Sequence, residues 1–98
     1  MNNDQKWIAD AFLKELEGVK FTEEEPLYKS DRRLQLAEMV LTEIPGDDLD
    51  ELAIRATAEA YRDLWHSPGD PKAIEHYLEV RRAHLDILKS LLRPGEFD

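Results

Sequence analysis

Three histidines, one out-of-place arginine and a scatter of carboxylates are the side chains that could do chemistry in this chain. His66, His76 and His84 are candidate metal ligands, but a metal site needs at least three converging donors. Asp63 and His66 stand three residues apart on one side of a helix, and no other histidine has a carboxylate three residues before it. The paired Glu-x-x-His arrangement of di-iron bundles is absent, and His76 and His84 are two turns apart. Ser30, Ser67 and Ser90 lie in no nucleophile-elbow pattern. The chain has no cysteine, which excludes disulfides and thiolate sites. No glycine-rich phosphate loop occurs. The expectation is a non-catalytic protein with no metal and no cofactor.

Arg81 is the strongest lead. At about 100° per residue, Ile74, Tyr77, Leu78, Leu85, Leu88 and Leu92 fall on one helical face, and Arg81 falls near its middle. The same positions approximate a heptad, in which one polar residue can fix register and oligomeric state. A buried charge needs a partner. Three outcomes are open: an ion pair to a carboxylate on another helix, a stem lying on the core with its head in water, or an interface or ligand pocket. Arginine's planar donor fork suits carboxylate or phosphate in the last case.

Two short runs resemble signatures of known families. Arg62–His66, RDLWH, resembles the arginine-spacer-histidine signature of helical ribonucleases, with a shorter spacer. Gly46–Leu52, GDDLDEL, resembles the acidic helix start of acyl carrier proteins, but no serine stands there to carry a prosthetic group. Neither resemblance implies an activity for this chain.

The elements that must position these residues are helices. The spacing predicts an all-α, small antiparallel four-helix bundle with helices at about 4–19, 31–44, 48–66 and 71–93. Residues 1–98 form a single domain, with 20–30 a connector and 94–98 a short tail. Asn2, Asn3 or Asp4 caps the first helix, whose stripe is Ile8, Phe12, Leu16 and Val19. Pro26 holds Glu25 extended in the connector. The second helix carries Leu34, Ala37, Val40, Leu41 and Ile44, and Pro45-Gly46 ends it. Asp48 and Glu51 form a capping-box pattern for the third. Asp70 caps the fourth, with Pro71 at its first position.

The third helix has two apolar sides. Leu49, Leu52, Ala53, Ala56, Ala60 and Leu64 make one, and Ile54, Ala58, Tyr61 and Trp65 the other. A helix with one buried stripe does not need the second group. Either this helix is central, which a domain this small slightly favours, or its aromatic side faces a partner.

Twenty-two acids against 13 bases give a formal charge of −9. Phosphate would repel such a chain, so direct nucleic-acid or anionic-lipid binding is not expected. No apolar run is long enough to span a membrane, and the first residues lack a signal-peptide layout, so a cytoplasmic location is the default.

The reading is a small acidic protein-interaction module, self-associating as a homodimer and binding another protein with a basic surface. Inhibitors, antitoxins, immunity proteins and phage regulators are of this kind, by analogy only. The expected docking residues are Tyr61, Trp65, Tyr77, Arg81, His84 and Trp7. One alternative is an acidic nucleic-acid mimic that blocks a nucleic-acid-binding enzyme. A second is a bundle that binds an anionic small molecule at Arg81.

Overall fold

The computed structural model describes residues 1–17, 19 and 29–91. It is an all-α bundle: α1 (Asn3–Leu16), α2 (Asp31–Glu43), α3 (Leu49–His66), α4 (Pro71–Ala83) and α5 (Leu85–Leu91). Most of the expected connector, Leu92 and the 94–98 tail lie outside the described residues.

Local chemistry sets the helix starts. Asn2 accepts from the Gln5 amide at 2.8 Å, and Gln5 returns a bond to the Asn2 amide at 2.9 Å, a complete capping box. Ser30 caps α2 and Asp48 caps α3. Asp70 accepts from the Lys72 amide, beside Pro71.

The end of α2 is closed from outside. Its last carbonyls have no helical donor of their own, and Arg55 of α3 donates to the carbonyls of Leu41 and Ile44. Gly46 follows with φ of +84°, a region that disfavours any residue with a Cβ. A Cβ there would also stand 3.0 Å from Arg55 Cδ. One glycine thus makes the turn and leaves room for the arginine that finishes the preceding helix.

α3 is the central helix, packed against α2, α4 and α5. Its buried residues are Glu51, Ala53, Ile54, Thr57, Ala58, Ala60, Tyr61 and Leu64. At about 100° per residue they sweep one continuous arc of about 180°. The two apolar sides seen in the sequence are the flanks of this arc, and Thr57 stands between them. Its hydroxyl donates to the Ala53 carbonyl at 2.9 Å, so a polar residue sits in the core without an unmet donor. Leu49 and Leu52, expected on the buried side, lie past its edge and are 72% and 51% exposed.

An aromatic ladder ties three helices together. Phe12 of α1 meets Tyr61 of α3 edge-on at 6.1 Å, and Tyr61 meets Tyr77 of α4 at 6.2 Å. Such pairs contribute about 0.5–1.5 kcal/mol beyond area burial. Leu36, Ala37, Val40 and Ile44 close the core from the α2 side.

The fourth helix does not run through to 93. His84 breaks it, with φ −112° and ψ 16°. Neither proline nor glycine is involved. The ring Nδ1 bonds the Val80 carbonyl at 2.9 Å, and the His84 amide takes the same carbonyl at 3.2 Å. A side chain that competes for the i−4 carbonyl bends helices, and beyond the break α5 turns to pack on α3 and α1.

Candidate functional site

The break at His84 changes what the α4 stripe means. Leu85 and Leu88 no longer share an axis with Tyr77, so the buried side of α4 is set by Ala73, Ile74, Tyr77, Val80 and Arg81 alone. Tyr77 is its centre. Arg81 lies about 40° to one side and Leu78 about 100° away. Arg81 therefore lies between Tyr77 and the part-buried Ile74 on the inner side of α4.

Its head group lies over the ring one turn back: Arg81 Cζ is 5.8 Å from the Tyr77 centroid, within cation–π range. No carboxylate among the described residues forms an ion pair with Arg81, the first of the three outcomes. Arg81 is part-exposed, and its guanidinium hydrogen-bonds the buried Tyr77 hydroxyl. Burial pushes the Tyr77 hydroxyl up to about 12, against the opposing influence of Arg81 by charge and hydrogen bond and of Arg33 by charge.

Arg33 belongs to a second group at the start of α2. Its Nε donates to the Glu15 carbonyl at 2.9 Å and lies 3.7 Å from the Glu15 carboxylate, which Arg32 also pairs at 2.8 Å. Two arginines from separate helices thus bear on one buried tyrosine hydroxyl, in a chain of net charge −9.

The six expected docking residues divide. Tyr61 and Tyr77 have no exposed surface. Both leave the docking set, because their rings form the aromatic ladder between α1, α3 and α4. Trp65 is part-buried, with Lys29 Nζ 4.4 Å over its ring and His66 edge-on at 5.4 Å. Arg81 and His84 are part-exposed. Trp7 is 62% exposed on the side of α1 away from Ile8, Phe12 and Leu16. Trp7, Trp65, Arg81 and His84 thus keep exposed surface, and Tyr61 and Tyr77 do not.

Composition hid other apolar surface. Leu49, Leu52, Leu78 and Leu85 are exposed, and all four had been assigned to buried stripes. On the wheel only Leu52 and Leu78 stood at an edge of their stripe, and Leu49 and Leu85 stood inside theirs.

The acidic cluster after Gly46 is largely architectural. Asp48 accepts from the Glu51 amide at 2.8 Å. The Glu51 side chain does not return to Asp48, as a capping box would. It reaches further back, taking the Asp47 amide at 2.7 Å and the Gly46 amide at 3.2 Å. The Met1 ammonium stands 3.5 Å from its other oxygen. Glu51 is only 5% exposed, so these three donors are what make its burial tolerable. Glu23, Glu24 and Glu25 lie outside the described residues.

His66 and His76 are exposed and lie on different helices. Among the described residues no group of three or more histidine and carboxylate side chains is arranged to hold a metal ion. No helix among them is long and apolar enough to cross a membrane. Comparison with protein-family models, curated proteins and solved structures found no match.

Proposed function

We propose that this chain is a protein-interaction module that acts by docking and performs no chemistry, in the manner of small acidic inhibitors and regulators. The observation that carries the reading is Trp7, a tryptophan 62% exposed on the outer side of a well-capped helix. Tryptophan is enriched among the residues that dominate binding energy, because it contributes a large rigid surface with a polar edge. The net charge of −9 suits a partner with a basic surface.

The test replaces Trp7 with photoreactive benzoylphenylalanine in the cells that make the protein. The expected result is cross-linking to one defined protein, whose affinity for Trp7→Ser falls by about tenfold or more. The same label at exposed Glu59 is the control, and equal cross-linking from both positions would refute the reading. A steep loss of binding with salt would shift the balance to nucleic-acid mimicry, since exposed charges are screened.

A second reading has its own observation. Arg81 has no carboxylate partner among the described residues, and Arg33 bears on the same tyrosine hydroxyl. An anionic small molecule is the ligand class that fits. Thermal stabilisation by phosphate or citrate that Arg81→Gln abolishes would support it, and no stabilisation of the wild type would dismiss it.

A further inference from the structure

We propose that the outer face of α4 is a self-association surface, on which a second copy of this chain docks antiparallel about Leu78. The proposal rests on the interaction-module reading and names one partner for it. α4 is the least covered of the longer helices. It packs on α3 and α5, and Tyr77 is its one fully buried side chain.

Four of its exposed residues follow a four-three-four spacing, Pro71, Glu75, Leu78 and Arg82, with exposed Lys72, His76, Glu79 and Ala83 beside them. That interval is the one at which a helix offers a straight stripe to another helix. Leu78, at the middle of the stripe, is 39% exposed. Neither Glu75 nor Arg82 forms an ion pair among the described residues.

The stripe carries its own complement. In a two-fold contact, residue i meets j and j meets i. An antiparallel crossing at Leu78 sets Glu75 of each copy against Arg82 of the other, while Leu78 meets its own counterpart between them. A parallel crossing would set Glu75 on Glu75 and Arg82 on Arg82. The charge pattern therefore selects one orientation. It also provides local attraction between two chains whose net charge of −9 repels them elsewhere, a repulsion that physiological salt largely screens.

Sedimentation equilibrium from micromolar to millimolar concentration tests this, on the wild type, Glu75→Lys, Arg82→Glu and the double variant. Circular dichroism checks that each variant folds, which exposed positions permit. The wild type is expected to dimerise reversibly. Each single reversal turns two attractions into two repulsions and should weaken the dimer by about tenfold or more. The double variant restores both pairs with their signs exchanged, and should recover wild-type association.

A wild type that stays monomeric at millimolar concentration would overturn the proposal. So would single reversals without effect, or a double variant no better than the singles. Cross-linking from Trp7 to another protein by a strictly monomeric chain would overturn this face alone and leave the interaction reading standing. A dimer that both reversals leave intact would place self-association elsewhere on the bundle.

Discussion

Replacing Glu51 tests whether one buried carboxylate holds the α2–α3 connection together. Its oxygens take the Asp47 and Gly46 amides and face the Met1 ammonium. Hydrogen bonds to a charged group contribute about 1.5–3 kcal/mol each. The Gly46 bond is long at 3.2 Å, so the lower figure is apt, and two such bonds give about 3 kcal/mol. The ammonium pair at 3.5 Å is buried on both sides and adds up to about 1 kcal/mol, because desolvation of the two charges offsets much of their attraction. Glu51→Ala should therefore lose about 3–4 kcal/mol. Glu51→Gln keeps an acceptor but halves the strength of its bonds, and should lose about 2 kcal/mol. A domain of this size shifts its midpoint by about 4–8 °C per kcal/mol, so Glu51→Ala should melt at least about 12 °C below wild type. Urea denaturation followed by circular dichroism gives the free energies, with an unchanged m value showing that the unfolded reference is intact. Exposed Glu59 on the same helix is the control, and Glu59→Ala should stay within about 0.5 kcal/mol of wild type. A Glu51→Ala loss no larger than that of Glu59→Ala would refute the reasoning.

Tyr77 gives a pH dependence with a definite sign. Its hydroxyl ionises near 10.0 when unfolded and is pushed up to about 12 by burial, so the folded state holds the proton more tightly. That stability is fully present below pH 10 and is lost as the pH rises toward 12, by about 2–3 kcal/mol in all. Urea titrations of wild type and Tyr77→Phe across this window should show the extra alkaline loss in the wild type alone. Gly46→Ala should cost about 1–2 kcal/mol from the positive φ, plus the disturbance of Arg55 at 3.0 Å. Combining it with Arg55→Ala should give less than the sum of the two losses, since both act on the same helix end.

How much could be read from the sequence depended on how local the cause was. Asp48 and Asp70 were legible as caps, and Pro71 as a first helical residue, because capping is decided within three residues. Gly46 was legible as a stop for the same reason. The all-α bundle followed from helical spacing and short turns. Thr57 was missed because a wheel scored on apolar residues has no place for a hydroxyl that bonds its own helix. The break at His84 was illegible, since no proline or glycine marks it and it depends on a ring nitrogen reaching Val80. That break takes Leu85 off the axis that carries Ile74 and Tyr77. Tyr61 and Tyr77 were assigned to a surface because a tyrosine has an apolar body and a polar tip, and its sequence position does not say which neighbours cover it. Phe12, nearly fifty residues from Tyr61 in the chain, supplies the cover.

The ion pair between Met1 and Glu51 has a practical side for anyone preparing the protein. A fusion tag placed ahead of Met1 exchanges a cation for a neutral, bulkier amide in a nearly dry site beside the α2–α3 turn. Such a tag is chemically a substitution in the partner of Glu51. A melting curve recorded on a preparation tagged there describes a different molecule from one whose Met1 amine is free.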